Sequence, residues 1–380
     1  MLEACRRGGA TLRVDDTTGL IPRDGAGRGP GVRPGGSDTL VANIRECDVP
    51  DRIENETELI QTYLAPLAAG FAGAFGLKDD GALIANEPGH DLVVTTDPVI
   101  AGVHFFATDR ADDIAWKALA VNISDLAAKG AMPLGYTMAL ALPEAPEHAW
   151  MANFADGLRS AQTAFSCHLI GGDTDRTPGP LSISITAFGK VPSGQMVRRG
   201  SAAVGDHVFV TGTLGDAALG LEIHRPGSRF GGRLPAGERS FLAGRYLRPS
   251  PRVEMVPLLR AFASAALDIS DGFVKDLARL AEPATSTVEV LAKRLPVSPA
   301  AGKLLLGDAS LWAPVVSGGG DYEIVFSIPP DRLPAFREAV RKVPVQVSEI
   351  GVLAAGQGVA VIGLDGRAIG AASGGYDHFS

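Results

Sequence analysis

Aspartates recur in five short motifs along this chain, most of them next to a glycine or a small hydroxyl residue. The motifs are Asp79-Asp80, Thr95-Thr96-Asp97, Asn122 with Asp125, Asp173 with Asp175, and Asp268-Ser270-Asp271. Hard oxygen donors without clustered Cys or His favour Mg²⁺, which binds carboxylates together with phosphate oxygens and water. A single motif of this kind is also typical of a turn or a helix N-cap, so the prediction depends on all five. Together they indicate a magnesium site beside a phosphorylated ligand.

The pair Asp79-Asp80 raises a question of charge, because it lies in the otherwise apolar segment FGLKDDGALI. Adjacent carboxylates repel each other, and burying them without partners costs several kcal/mol. A metal ion beside the pair would remove this cost. We therefore expect Asp79 and Asp80 to lie near bound metal.

Few cations accompany these motifs, and the common nucleotide-binding motifs are not found. The sequence has no GxxxxGK[ST] loop and no HRD or DFG kinase motif. The candidates to bind a phosphate are Arg198 and Arg199 in MVRRGSA, together with Lys78. A solvated surface pair explains the two arginines equally well.

The composition is that of a globular protein with two domains of ordinary size, since 380 residues are long for one core. The net charge of −8, from 35 basic and 43 acidic side chains, argues against a nucleic-acid partner. The sequence contains no run of about 18 apolar residues that would indicate a membrane span, and the N-terminus does not resemble a secretory signal. The three cysteines, Cys5, Cys47 and Cys167, form no CxxC motif, which fits a cytoplasmic protein.

The chain divides into three regions by composition and pattern. Residues 1–52 are rich in Gly, Pro and Arg without periodicity, which predicts a disordered tail. Residues 53–200 and residues 201–380 each mix predicted strands and helices, so we expect two α/β (α+β) domains. DLVVTTDPVI predicts a strand, and the helix DDIAWKALAVNISDLAAKGA places Asn122 and Asp125 on one face. We expect the carboxylate motifs where strands end or on a neighbouring helix face.

The motifs occur in an order that resembles the thiamine-monophosphate kinase family. The resemblance rests on GLKDDGALI, TTDPVIAGVHF, KALAVNISDLAAKGA, LIGGDTDR, VRRGSAAVGD, VTGTLGDAALGL, RPSPR, LDISDGFVKDL, SGGGDYEIVF and GYDHF. It runs from about Asn55 to Phe379. It implies the fold of the aminoimidazole ribonucleotide synthetase superfamily, with two mixed α/β domains. It also implies a homodimer in which the N-terminal sheets pair into a barrel.

The same resemblance implies a reaction. Members of the family transfer the γ-phosphoryl group of ATP to thiamine monophosphate, forming thiamine diphosphate and ADP, and they require several Mg²⁺ ions. The acceptor phosphate has a second pKa near 6, so at neutral pH it is already a nucleophile. We therefore assign no covalent nucleophile and no general base. The obstacle is the repulsion between two polyanions, which metal ions relieve.

Matched residue by residue, the resemblance implies three groups of site residues. The metal ligands, to which the charge argument adds Asp79, would be Asp80, Thr95, Thr96, Asp97, Asp125, Asp173, Asp268 and Asp271. ATP would be bound by Gly172, Asp173, Arg199 and Ser270. Thiamine monophosphate would contact His104 and the aromatic ring of Tyr376.

Two positions depart from the family pattern. Lys78 stands where the family has a glycine, directly before the Asp79-Asp80 pair. Gly320 stands where the family has an acidic residue that contacts the substrate. We expect the adjacent Asp321 to take over this contact, although a shift of one residue changes the direction of a side chain. These departures bear on the affinity for the acceptor rather than on the fold.

Other functions remain as alternatives. A selenophosphate synthetase is disfavoured because no cysteine precedes the first Asp motif in a suitable glycine-rich loop, and Cys47 lies in the predicted tail. A hydrogenase maturation protein is disfavoured because the sequence ends HFS without a terminal cysteine, and the purine enzymes lack GYDHF. A non-catalytic protein that binds thiamine phosphate or a nucleotide is supported only by Lys78 and Gly320. A purely structural dimer would leave the five carboxylate motifs unexplained.

Overall fold

A computed structural model of the chain describes residues 51–228, 230 and 232–369. The predicted tail at residues 1–52 lies outside the described residues except for its last two positions. Tyr376, the predicted aromatic contact of the substrate, also lies outside them.

The first half of the described chain builds a four-stranded sheet with two long helices. Its elements are α1 (Glu56–Leu59), β1 (His90–Ile100), α2 (Ala111–Ala128), β2 (Met132–Leu142), α3 (His148–Phe165), β3 (His168–Arg176) and β4 (Ser182–Pro192). The strand order is β1-β4-β2-β3, with β2 and β3 parallel and the other neighbours antiparallel. After α1 the chain continues as a π-helix (Ile60–Leu64) and a 3₁₀ helix (Ala65–Ala68), because Pro66 interrupts the α-helical pattern.

The second half contains two smaller sheets with helices around them. Its elements are β5 (His207–Thr211), α4 (Asp216–His224), α5 (Ala236–Leu247), α6 (Val256–Phe262), β6 (Ala265–Asp268), α7 (Phe273–Ala281), β7 (Ser286–Leu291), α8 (Pro299–Gly307), α9 (Trp312–Ser317), β8 (Ile324–Ile328), α10 (Leu333–Val340), β9 (Val347–Val352), β10 (Ala354–Ala355) and β11 (Gly358–Ile362). One sheet is antiparallel with the order β6-β8-β5-β9. The other has the order β10-β7-β11, in which β7 and β11 are parallel.

Short 3₁₀ helices connect several of these elements. They are Ala72–Leu77, Arg199–Ser201, Val253–Met255, Glu282–Ala284, Ala292–Arg294 and Ala309–Leu311. No helix in the described part of the chain is long and apolar enough to cross a membrane.

Helix α2 lies between the two halves, and this position explains its alanine-rich sequence. It packs on β1, β4 and α3 of the first half and on β6, α5 and α6 of the second. Ala115, Ala118 and Ala127 are each at most 1% exposed, because they lie where neighbouring elements come closest. A helix that is apolar on all sides is expected in a core. The packing carries Asp125, one turn from the end of α2, to the boundary between the halves.

Two carboxylate motifs lie inside strands, where the sequence had suggested strand ends. Strand β1 continues to Ile100, so Thr95, Thr96 and Asp97 are in its middle, and Asp173 lies within β3. β1 is an edge strand whose polar residues alternate in direction. Thr95 and Asp97 meet polar partners on α2, whereas Thr96 is on the exposed side. Polar residues are therefore tolerated in the strand without a turn.

Candidate active site

A cavity of about 500 Å³ lies between the end of α2, strand β6 and the start of α7. We call it the α2–β6 cavity. Two predicted metal ligands, Asp125 and Asp268, line it together with two predicted ATP-binding residues, Arg199 and Ser270. These four residues come from three separate segments of the sequence, because Asp268 and Ser270 belong to the same motif. The fold therefore brings residues predicted to bind metal and residues predicted to bind ATP to the same cavity.

A second cavity, of about 180 Å³, lies beside β3. Asp79, Asp80, Gly172 and Asp173 line it. Asp79 and Asp80 are exposed to solvent, so the cost of burying them, which the sequence had suggested, does not arise. Eight of the predicted site residues thus line one of two cavities, which we distinguish as the α2–β6 cavity and the β3 cavity. The other described site residues of the metal and His104 predictions line neither of these two cavities: Thr95, Thr96, Asp97, Asp271 and His104.

Hydrogen bonds fasten β1 to α2 at the predicted metal ligands. The Thr95 hydroxyl donates to Oδ2 of Asp125 over 2.6 Å. The backbone N–H of Asp97 donates to Oδ1 of Asn122 over 2.8 Å, and the Asn122 amide donates back to the Asp97 carbonyl over 3.3 Å. Asn122 is fully buried, so its amide is a structural link rather than an open ligand. The Thr96 hydroxyl donates to the carbonyl of Ile185 over 3.0 Å.

Four carboxylates from both halves lie close together, and the pKa values of two of them, Asp97 and Asp268, are raised. Burial raises the pKa of Asp97 to about 7, and the charges of Asp125 and Asp271 add to this effect. Burial, followed by the charge of Asp125, raises the pKa of Asp268 well above its usual value. Tyr322 lies beside all four, and its pKa is raised by burial and by their charges. A cation placed among these groups would relieve the repulsion that raises the pKa values.

The donor set fits Mg²⁺ bound between protein and phosphate, but not a cage made of protein alone. Among the described residues, no group of three or more His, Cys, Asp or Glu side chains is arranged to hold a metal ion by itself. Magnesium at nucleotide sites is commonly bound by one or two carboxylates, with phosphate oxygens and waters as the other ligands. The predicted ligands therefore suit an ion that arrives with a phosphorylated substrate.

The loop after β6 is held by a residue that the sequence did not single out. Oδ2 of Asp276 accepts hydrogen bonds from the backbone N–H groups of Ser270 (3.1 Å) and Asp271 (3.0 Å). Arg279 pairs with Asp276 at 2.7 Å and with Asp271 at 2.8 Å. The signal in the sequence is an Asp one turn into the helix that follows DISDG, which is where a carboxylate can cap the preceding loop.

Lys129 is a second residue that pattern reasoning missed. Its Nζ donates to the carbonyl of Ala266 on β6 over 2.8 Å, and its side chain lines the α2–β6 cavity. Burial lowers the pKa of Lys129, while the charges of Asp268 and Asp125 oppose the shift. Its position four residues after Asp125 predicts a shared helix face, but its partner on β6 lies 137 residues away.

Gly172 is required by the close approach of β2 and β3. Its φ is +157°, and a Cβ atom at this position would lie 2.0 Å from the carbonyl oxygen of Met138. The neighbouring Gly171 has room for a Cβ, whose nearest contact would be 3.7 Å away on Thr137. Gly172 therefore presents only backbone atoms to the β3 cavity.

The segment around Gly320 does not provide the expected substitute carboxylate. Asp321 is 1% exposed, and its two oxygens accept from the backbone N–H groups of Gly215 (2.6 Å) and Ala217 (3.0 Å) at the start of α4. Burial raises its pKa to about 7, although these hydrogen bonds oppose the shift. We assign Asp321 this capping role rather than the substrate contact expected from the sequence, because its carboxylate is directed into the fold. Gly320 has φ +93°.

His104 follows β1 in the segment that was predicted to contact the acceptor. Its Nδ1 accepts a hydrogen bond of 3.0 Å from the backbone N–H of Ile100. A neutral ring in this arrangement carries its proton on Nε2. His104 can therefore act as a hydrogen-bond donor through Nε2.

Comparison with known proteins identifies the family. Residues 78–191 match the family described as AIR synthase related protein, N-terminal domain, and residues 203–363 match its C-terminal domain. The thiamine-monophosphate kinase of Caulobacter vibrioides is 40% identical over 311 residues, which is 80% of this chain and 85% of that protein. The chain belongs to the thiamine-monophosphate kinase family. The thiamine-monophosphate kinase of Escherichia coli O157:H7 is 38% identical over 307 residues, covering 80% of this chain and 92% of that relative.

Solved structures of this family and of a wider group share the fold. The thiamine-monophosphate kinase of Stenotrophomonas maltophilia K279a is 43% identical with a TM-score of 0.69, over 77% of this chain and 90% of that one. A complex described as AaThiL with AMPPCP and TMP is 30% identical with a TM-score of 0.67, over 86% of this chain and 99% of that one. Escherichia coli HypE, a hydrogenase maturation protein, has a TM-score of 0.65 at 19% identity, which shows the fold alone. The predicted two-part α/β fold of the superfamily is confirmed.

Proposed function

We propose that this protein transfers the γ-phosphoryl group of ATP to thiamine monophosphate and forms thiamine diphosphate and ADP. The observation that carries this proposal is the α2–β6 cavity, where Asp125 and Asp268 lie beside Lys129 and Arg199. Mixed carboxylates and cations suit a polyphosphate that binds together with metal ions. The substrates are supported by the names of the relatives and by the solved relative that is described in complex with AMPPCP and TMP.

The nucleotide phosphates would be bound from both halves of the chain. Arg199 supplies a charged donor and Ser270 a hydroxyl in the α2–β6 cavity, while Gly172 and Asp173 contribute at the β3 cavity. The loop that carries Ser270 is held by Asp276, so the position of the hydroxyl is set before the nucleotide arrives. Such preorganisation reduces the ordering that binding requires.

Magnesium ions would be held by the predicted aspartates of β1, α2 and β3 and by Asp79 and Asp80. The aspartates at the end of β6 and in the loop after it would also contribute. When bound, they neutralise charge on the phosphates, which is what allows two polyanions to approach each other. Thr95 orients Asp125 through the hydrogen bond of 2.6 Å, and Asn122 fixes the backbone of Asp97. These contacts set the direction of two carboxylates from one edge strand and one helix.

The acceptor needs no base from the protein in this mechanism. The phosphate of thiamine monophosphate is mostly a dianion at neutral pH, so its oxygen attacks without losing a proton. The protein has to orient it in line with the γ-phosphoryl group, at about 3 Å. His104 would donate a hydrogen bond from Nε2 to the acceptor, and Tyr376 would pack beside its ring.

A homodimer, a cytoplasmic location and a division into domains at 53–200 and 201–380 also belong to the proposal. Strand β1 is an edge of its sheet, and its apolar residues Leu92 and Val94 are 51% and 54% exposed. Edge strands with exposed apolar side chains are prone to pair with another chain. This supports a dimer in which the N-terminal sheets of two copies meet.

A second candidate function is binding of thiamine phosphate or a nucleotide without catalysis. This candidate is favoured because neither position supplies a carboxylate to the acceptor. Gly320 lacks a side chain, and the carboxylate of Asp321 is directed into the fold. Weak contact with the acceptor would leave binding of ATP intact and reduce transfer.

The test is incubation of the purified protein with thiamine monophosphate, ATP and Mg²⁺, followed by chromatography of the products. Equal amounts of thiamine diphosphate and ADP, lost on addition of EDTA, would support the kinase. ADP without thiamine diphosphate would contradict this acceptor and favour a sister reaction. Calorimetric binding of both ligands without any product would favour the second candidate.

A further inference from the structure

Two side chains from different halves of the chain converge on one backbone carbonyl. Nζ of Lys117, on α2, donates a hydrogen bond of 3.0 Å to the carbonyl oxygen of His104. The hydroxyl of Tyr246, on α5, donates one of 3.3 Å to the same oxygen. The segment that carries His104 is thereby fastened both to the central helix and to the second half.

Lys117 and Tyr246 also hold each other. Nζ of Lys117 lies 3.6 Å from the centroid of the Tyr246 ring, which is a cation–π contact, and Lys117 is only 5% exposed. Burial lowers the pKa of Lys117 to about 7, while the charges of Asp109 and Asp113 oppose the shift. Burying a lysine costs free energy that an apolar side chain of similar length would avoid. What the apolar side chain would lack is the hydrogen bond to His104.

The ring of His104 is fixed at its other end. The backbone N–H of Ile100 donates to Nδ1 over 3.0 Å, which leaves the proton of the neutral ring on Nε2. The carbonyl is held by Lys117 and Tyr246, and the ring by Ile100. Contacts to both the ring and the backbone of His104 therefore constrain the direction of the Nε2–H bond, among them the hydrogen bonds from Lys117 and Tyr246.

We propose that Lys117 and Tyr246 are positioning residues that fix His104 for its contact with the acceptor substrate. The proposal rests on the proposed function, in which His104 donates to thiamine monophosphate. Neither side chain needs to touch the substrate. Their effect should therefore appear in the affinity for thiamine monophosphate and not in the affinity for ATP.

The first test is Tyr246→Phe, which keeps the ring over Lys117 and removes only the hydroxyl. We expect the KM for thiamine monophosphate to rise about three- to tenfold, the effect of one lost hydrogen bond, with the KM for ATP unchanged. The matched control is Tyr63→Phe, which removes a tyrosine hydroxyl that bonds Nδ1 of His148 over 2.8 Å. The control should leave both KM values unchanged.

The second test asks whether the effect passes through His104. Lys117→Met should raise the KM for thiamine monophosphate at least as much as Tyr246→Phe, and Lys117→Arg should restore part of it. In a His104→Ala background, Tyr246→Phe should cause no further change, because the group that it positions is gone. Calorimetric titration with thiamine monophosphate gives the same comparison without turnover.

The outcomes separate this proposal from the proposed function. Equal changes in both KM values, or effects of Tyr246→Phe and His104→Ala that multiply, would overturn the positioning role and indicate general loosening of the fold. A protein that forms thiamine diphosphate normally after His104→Ala would also overturn it, while leaving the kinase assignment intact. A wild-type protein that forms no thiamine diphosphate would overturn the proposed function, and calorimetry would still decide the role of Tyr246.

Discussion

The hydroxyl of Thr95 donates a hydrogen bond of 2.6 Å to Oδ2 of Asp125. Thr95 lies in the middle of the edge strand β1, and Asp125 lies near the end of the central helix α2. The bond therefore joins the first sheet to the helix that packs against the second half. It also sets the direction of a carboxylate that lines the α2–β6 cavity.

Thr95→Val should lower kcat while changing stability little. Valine has nearly the shape of threonine but cannot orient Asp125, so we expect kcat to fall about tenfold or more. The loss of one hydrogen bond should reduce the free energy of unfolding by about 1 kcal/mol. Steady-state kinetics and urea unfolding measure the two effects. Thr95→Ser, which keeps the hydroxyl, should recover most of the activity, and wild-type kcat in Thr95→Val would contradict the role of the bond.

Arg199→Ala should mainly raise the KM for ATP. Arg199 lines the α2–β6 cavity, and loss of a charged hydrogen bond to a phosphate weakens binding about tenfold or more. Arg341→Ala is the matched control, because Arg341 is on the surface and pairs with Glu338 three residues before it. The variants are compared by titrating ATP at a fixed concentration of thiamine monophosphate. Equal KM values for ATP in the two variants would indicate that Arg199 is a solvated surface charge that does not bind ATP.

Much of the fold could be predicted from local pattern. The strand in DLVVTTDPVI and the long helix with Asn122 and Asp125 both occur, as elements β1 and α2. Their apolar periodicity and their boundaries are local properties of the sequence, so they are visible without the fold.

The arrangement of the site depends on contacts that no local pattern contains. Lys129 bonds a carbonyl on β6 that is 137 residues away, and Tyr246 bonds the carbonyl of His104, which is 142 residues away. The sequence around Asp321 fits a substrate ligand and a helix cap equally well. The position of α4 in the fold shows that Asp321 caps this helix. Burial and long-range pairing decide these roles.

Gly172→Ala should destabilise the protein, whereas Gly171→Ala should not. An added Cβ at Gly172 would collide with the Met138 carbonyl at 2.0 Å, and the positive φ disfavours any L side chain. We expect a loss of about 2–4 kcal/mol in the free energy of unfolding. At Gly171 the nearest contact would be 3.7 Å, so the same substitution serves as the control. Urea unfolding of both variants measures the difference, and equal stabilities would contradict the close packing of β2 and β3.

Gly320→Glu should strengthen contact with the acceptor. It introduces an acidic side chain where the resemblance to the family implies one, and an added Cβ has room, since its nearest neighbour is Ala217 at 3.6 Å. The φ of +93° makes the substitution cost about 1–2 kcal/mol of stability. We expect the KM for thiamine monophosphate to fall about tenfold, the gain from one charged hydrogen bond. An unchanged or higher KM in the folded variant would show that the glycine does not limit acceptor binding.

The titration of Asp321 should lower the free energy of unfolding as pH rises from about 4 to 7. Its pKa is about 7 in the folded protein and about 4 when unfolded, so the folded state binds more protons in this interval. Its contribution is complete below pH 4 and is lost as pH passes 7, with a slope of at most about 1.4 kcal/mol per pH unit. Urea unfolding at several pH values measures the slope. In Asp321→Asn the decline should be shallower at every pH in this range, and parallel profiles would contradict the raised pKa.

The most direct measurement of the central claim is the rate of thiamine diphosphate formation by wild type and by Asp125→Asn, followed by ³¹P NMR. Asp125 lines the α2–β6 cavity, and asparagine keeps its shape while removing its charge. We predict that wild type converts ATP and thiamine monophosphate into equal amounts of ADP and thiamine diphosphate. The folded variant should be at least about a hundredfold slower. Wild-type turnover in Asp125→Asn, or no thiamine diphosphate from the wild-type protein, would contradict the account.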